Sequence, residues 1–84
     1  MSAKHARTLA AVFEEPTRAN ILWRDIVSML VHHGATLREG QGSRVGVTLN
    51  GRRITLHRPH PQKEANQYTV RDLREFLILN GIEP

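Results

Sequence analysis

Cysteine is absent from this 84-residue chain. Disulfides and thiolate metal sites are therefore excluded outright, and secretion of so small a domain, which generally relies on such staples, is disfavoured. No stretch approaches the roughly 18 apolar residues that a membrane-spanning helix needs, and no secretory signal opens the chain. These absences point to a cytoplasmic location without membrane association. Internal repeats and low-complexity segments are lacking too. What is there, 39% hydrophobic and 24% charged residues, describes an ordinary soluble domain with room for one core of modest size.

The charge is unevenly signed. Twelve Lys and Arg against eight Asp and Glu give a net +4, with a sequence pI near 10.7. Ten of the twelve cations are arginine, whose planar fork suits bidentate contact with phosphate. A small basic domain of this kind has an electrostatic route to nucleic acid, although charge by itself names no partner.

Periodicity divides the chain into two halves. Lys4 to Phe13 reads as a short helix with Leu9, Val12 and Phe13 on one face, ended by Glu14, Glu15 and Pro16 because proline cannot continue the ladder. Thr17 to Ile21 is a connector. Leu22 to His33 is the strongest helix: Trp23, Ile26, Val27, Leu30 and Val31 form one apolar stripe. Asn20 is placed to cap it, Asp25 suits the positive end of its dipole, and Gly34 suits the position after its end. Beyond it the period shortens. Ala35 to Arg38 reads as a short strand, Glu39 to Ser43 as a glycine-rich turn, and Arg44 to Leu49 and Arg53 to Arg58 as two strands around Asn50-Gly51. Asn-Gly between alternating runs marks a hairpin, because a type I′ turn needs positive φ at both positions. Two prolines make Arg58 to Gln62 a loop, which extends to Tyr68. A last helix starts after Thr69, with Asp72 completing an approximate capping box. It buries Val70, Leu73, Phe76 and Leu77 and stops at Gly81, with Ile82 available for a Schellman contact.

A two-residue loop at Asn50-Gly51 sets the register of the hairpin. Leu49 then faces Arg52, Val47 faces Ile54 and Val45 faces Leu56, which makes the last two pairs apolar on both strands and assigns them to the core. The intervening pairs, Thr48 with Arg53, Gly46 with Thr55 and Arg44 with His57, point to solvent. Opposed side chains in such a ladder stand about 5 Å apart at Cβ, so Arg44 and His57 are neighbours at the hairpin's open end. An antiparallel face solvated by Arg and Thr is common. Here two cations and an imidazole, flanked by Arg52 and Lys63, add a phosphate-binding reading.

Other features are less specific. Gly40-x-Gly42-Ser43 is similar to turns whose exposed amides meet an anion, but no lysine or following helix makes it a nucleotide-binding loop. His57, His60, His32 and His33 lack the spacing and supporting ligands of a metal site, so no metal or other cofactor is expected. The histidines suit proton transfer better, since imidazole titrates near neutrality. A ribonuclease without metal needs a base for the 2′-hydroxyl, an acid for the leaving oxygen and cations for the phosphorane charge. Helix-turn-helix spacing is missing, which argues against DNA.

Residues Leu22 to Ile82 resemble HicA, the toxin of the HicA–HicB toxin–antitoxin pairs. Four features carry the resemblance in order: the helix Trp23 to His33 ending in Gly34, Gly42-Ser43 opening a strand, a hairpin leading to His57-Arg58-Pro59-His60-Pro61 with Lys63 after it, and a terminal helix ending in Asn80-Gly81-Ile82. The resemblance implies an α+β fold like the double-stranded-RNA-binding domain, a three-stranded antiparallel sheet packed on two helices (αβββα) with an extra N-terminal helix. It divides the chain into residues 1–21, helix and connector, and residues 22–84, the HicA-like domain. It implies a type II toxin that acts as a messenger-RNA interferase and is blocked by a HicB-like antitoxin covering its site.

Gly42, Ser43, Arg44, Arg53, His57, Arg58, His60 and Lys63 are accordingly the expected RNA-binding residues, with His57 and Arg44 as the catalytic pair. The family usually places its catalytic histidine just after the Gly-Ser pair, where this chain has Arg44. Arginine stabilises a phosphorane charge but does not serve as a base. Three readings follow: a ribonuclease in which His57 takes over, an RNA-binding module that does not cleave, and a protein-interaction module whose basic face docks a HicB-like partner.

Overall fold

The computed structural model describes residues 3–84, so residues 1 and 2 of the expected N-terminal unit, where a leader would begin, lie outside the described residues. In chain order the elements are α1 (Ala3–Val12), β1 (Ile21–Leu22), α2 (Trp23–His32), β2 (Thr36–Glu39), β3 (Arg44–Leu49), β4 (Arg52–His57), β5 (Glu64–Ala65) and α3 (Gln67–Leu79). The fold is α+β. One antiparallel sheet, ordered β2-β3-β4, packs against the helices in the arrangement expected of a double-stranded-RNA-binding-like domain, and β1-β5 forms a separate two-stranded ribbon.

The hairpin takes the register that Asn50-Gly51 dictates. Both turn residues have positive φ, 52° and 76°, as a type I′ turn requires. Val45 pairs with Leu56, Val47 with Ile54, Gly46 with Thr55, and Arg44 with His57. Strand β4 begins one residue earlier than its alternation suggests, and Arg58 extends the ladder only through its N–H, which donates to Ser43 O at 2.7 Å. Strand β2 adds Leu37 opposite Val47 and Arg38 opposite Gly46. One face of the sheet therefore carries Leu37, Val45, Val47, Ile54 and Leu56 into the core.

Helix α2 is rolled relative to its expected stripe. Ile26, Met29 and Leu30 are fully buried, whereas Val31 is 57% exposed. Helix α2 packs on α1 as well as on β2, so Met29 joins the buried arc and Val31 turns out to solvent. Asn20 does not cap it. Its Oδ1 accepts from Arg18 Nε at 2.8 Å, Leu22 occupies the cap position without a capping side chain, and the Trp23 N–H donates to Lys63 O across the β1-β5 ribbon at 2.9 Å. The helix ends in a Schellman motif, with Gly34 N donating to Val31 O and Ala35 N to Leu30 O.

Helix α3 starts two residues before Thr69. Asn66, not Thr69, is the cap: its Oδ1 accepts from Thr69 N at 2.9 Å, while Thr69 itself is buried inside the first turn. The far end follows the expected pattern, Gly81 N donating to Ile78 O and Ile82 N to Leu77 O, with Ile82 packed on the core.

Helix α1 lies against α2 and α3 and buries Leu9 and Val12, with Phe13 packed beside them. Each such side chain removed from water contributes about 1.5–3 kcal/mol. A single arginine fastens the following connector. Arg74 of α3 donates from Nε to Val12 O (2.9 Å) and from Nη2 to Glu14 O (2.9 Å) and Thr17 Oγ1 (3.1 Å), and pairs with Glu15 at 3.0 Å.

Candidate nucleic-acid interface

Among the described residues all helices lie on the apolar side of the sheet, and none covers the other side. Thr36, Arg38, Arg44, Thr48, Arg53, Thr55 and His57 alternate onto that open face, and each is exposed. The alternation has a plain cause: strands with one buried face must send every second side chain outward.

Arg44 and His57 occupy directly paired positions at the open end of the hairpin. Arg53 lies two outward positions further along β4, beyond the Gly46–Thr55 pair, and does not project freely. Its guanidinium crosses the sheet over Gly46, where a Cβ on that glycine would stand 3.3 Å from Nη2 and 3.6 Å from Nε. Thr36, Arg38, Gly46, Thr48 and Arg53 thereby enclose a shallow depression of about 290 Å³. Positive charge from β2 and β4 converges on it, with hydroxyl donors at its rim. None of Arg38, Arg44 and Arg53 makes an ion pair among the described residues, so their donors are available to an anion.

The remaining predicted residues are distributed around this face rather than on it. Gly42 and Ser43 sit exposed at the β2–β3 turn, whose own hydrogen bonds engage the neighbouring amides: Gly40 N donates to Arg44 O at 2.8 Å and Arg44 N to Gln41 O at 3.3 Å. Arg58 forms an ion pair with Glu39, and its side chain turns toward the start of α2. His60 is exposed in the loop after β4. Lys63 lines a groove beside Trp23. Arg52 is drawn off to α3, donating from Nε to Leu79 O at 3.2 Å.

Arg38 is the residue of the open face that the sequence reading missed. Its signal was present in the alternation of Leu37 inward and Arg38 outward, but only the β2–β3 register assigns it to the Arg53 side.

The other histidines form a separate cluster at the end of α2. His5 of α1 stacks on His32 with centroids 4.6 Å apart, and His32 meets His33 edge-on at 5.3 Å. Burial, then the neighbouring His32 and His5, holds the His33 imidazole below its ordinary value of 6.5. No three His, Asp or Glu side chains among the described residues are arranged to hold a metal ion. No helix among the described residues is long and apolar enough to cross a membrane.

Comparison with known proteins gives one match. Residues 23–78, 56 of the 84, match the family model described as HicA toxin of bacterial toxin-antitoxin. No curated protein and no solved structure matches the chain.

Proposed function

This chain belongs to the HicA toxin family of bacterial toxin–antitoxin systems, and from that premise we propose that it binds messenger RNA on the open face of its sheet and cleaves it as a metal-independent endoribonuclease. The observation that carries this reading is the placement of Arg44, Arg53 and His57 on one exposed face that no helix among the described residues covers. Arg53 and Arg38 hold the backbone of the RNA, and Arg44 takes the scissile phosphate. His57, paired with Arg44 across the ladder, is the proton-transfer group. It removes the proton from the 2′-hydroxyl as that oxygen attacks phosphorus, or returns one to the 5′-oxygen as the P–O5′ bond breaks, and solvent water makes the other transfer. Arg44 and Arg53 offset the charge on the phosphorane between these events. The turn at Gly42 and Ser43 borders the same phosphate, and Arg58, His60 and Lys63 extend the contact beyond it. A toxin of this family has an antitoxin; a HicB-like partner would silence this one by laying an acidic surface over the same face, in a cytoplasmic complex.

Purified protein incubated with a mixed RNA tests this directly. The parent yields fragments, Arg44→Ala yields few, and His57→Ala binds RNA but yields none.

One observation favours a second reading, in which the face binds RNA without cutting it. Arg44 stands where the family resemblance places a histidine, and arginine strengthens phosphate binding while supplying no base. Under that reading the parent yields no fragments at any protein concentration, and its affinity falls steeply with salt.

A further inference from the structure

A second recess lies away from the sheet face, around the start of α2. A groove of about 540 Å³ runs between Trp23 and the loop carrying Pro59 and Lys63, and a second, of about 570 Å³, continues from Trp23 toward Leu37 and Val45. Both share Trp23, Arg24 and Arg58, so the two grooves adjoin at these side chains and are taken together as one channel. Each is large enough for a flat ring system plus a sugar, within the range of ordinary ligand sites.

The charge of the channel is one-sided. Among the described residues no acid lines its first part, and the one acid lining its second part, Glu39, is already paired with Arg58. Arg24 and Lys63 make no ion pair among the described residues, and both are exposed. Arg24 also faces a further groove of about 440 Å³ on the α1 side, where Asp25 is paired with Lys4 and the exposed Arg7 makes no ion pair among the described residues. Aromatic surface between unneutralised cations calls for a ligand that repeats a flat ring and an anion at short intervals. A single-stranded nucleic acid has that composition: bases stack on aromatic side chains while the groove's cations track the phosphates.

Position strengthens the match. Arg58 follows His57 directly, and its N–H is bonded to Ser43 O at the hairpin's open end. The channel therefore begins at the corner where the Arg44–His57 pair ends. We infer that the channel at the start of α2 is a second RNA contact, in which a base near the phosphate held on the sheet stacks on Trp23 and its flanking phosphates are held by Arg24 and Lys63. The inference rests on the RNA reading of the sheet face and gives it a substrate class: single-stranded RNA with at least one base free of pairing.

Trp23 is the only tryptophan in the chain, so its emission reports on the channel alone. The probes are a short 2′-O-methyl oligoribonucleotide, which cannot be cleaved through its 2′-oxygen, and a ribose–phosphate chain of equal length without bases. The base-bearing strand is expected to quench Trp23 emission and the abasic chain to leave it unchanged. Trp23→Leu should bind the base-bearing strand about five- to a hundredfold more weakly, the range expected for one lost stacking contact. Because Trp23 also packs on the core, the exposed variants Arg24→Ala and Lys63→Ala give a second reading, each weakening binding and lowering its salt dependence. If the strand binds through Arg44 and Arg53 but leaves Trp23 emission unchanged, and Arg24→Ala and Lys63→Ala bind like the parent, the channel inference is overturned while the sheet-face reading stands. Quenching by an acidic peptide and not by RNA overturns it as well, and assigns the channel to a protein partner. If no oligonucleotide binds the parent at all, both readings fall.

Discussion

Arg53 lies across Gly46, with its guanidinium 3.3 Å from where a glycine Cβ would be. Strands rarely place glycine at their centre, because it contributes no packing and leaves the unfolded chain freer. Here the missing side chain is what lets the Arg53 fork lie flat over the middle of the sheet beside Arg38.

Gly46→Val separates this role from any role in folding. The new side chain displaces Arg53, so RNA affinity is expected to drop about as far as in Arg53→Ala. The strand itself gains a β-branched residue, so thermal stability should hold or rise by up to about 1 kcal/mol. Anisotropy with labelled RNA and a melting curve on the same sample check both halves.

Arg44 and Arg53 are assigned to phosphates and not to bases. Each arginine-to-alanine change should therefore weaken binding to all RNA sequences alike and reduce the slope of log K against log salt by about 0.7–1. A change in sequence preference with an unaltered slope would contradict the assignment.

Arg74 acts on stability alone. Its four polar contacts join α3 to the α1–β1 connector, and its side chain is only 13% exposed. Arg74→Ala leaves two carbonyls and a hydroxyl without their donor, which costs about 2–3 kcal/mol and lowers Tm by roughly 8–24 °C in a domain this small. Arg74→Lys recovers only part of this, because an ammonium cannot span the fan of acceptors.

The histidine cluster predicts how stability responds to acid. His33 is held below its ordinary value of 6.5 by burial and by its neighbours, so the unfolded chain takes up the proton first as pH falls. Its contribution is intact above about pH 6.5 and declines as pH drops through the lowered folded value. Urea midpoints measured at pH 7 and pH 5.5 should differ in that direction, and His33→Asn should shrink the difference.

The sheet was legible in the sequence because two local signals agreed. Asn50-Gly51 admits one loop geometry, and the Val45, Val47 and Leu56 alternation admits one face, so the Arg44–His57 pairing follows by counting. The helix ends at Gly34 and Gly81 were legible for the same reason, each being a local motif closed by two backbone hydrogen bonds. What escaped depends on distant partners. The β1-β5 ribbon is two residues long on each strand, too short for any period, and Ile21 meets Ala65 only once the chain has folded. The Asn66 cap escaped because Thr69 with Asp72 has the spacing of a capping box, and only the bond from Thr69 N to Asn66 Oδ1 and the burial of Thr69 show where the helix starts. The roll of α2 that buries Met29 and frees Val31 accompanies its packing on α1. Within the site, Arg38 needed a register that Ala35 to Arg38 alone does not set, and the Trp23–Lys63 channel joins residues forty positions apart.

Cleavage depends on proton transfer at His57. End-group analysis of RNA treated with the protein in the presence of a chelator is the most direct measurement. Attack by the 2′-oxygen predicts fragments ending in 2′,3′-cyclic phosphate and beginning with a 5′-hydroxyl. The same fragments should be missing from His57→Ala, although that variant still binds RNA through Arg44 and Arg53. Fragments of the same kind and yield from His57→Ala would contradict the account.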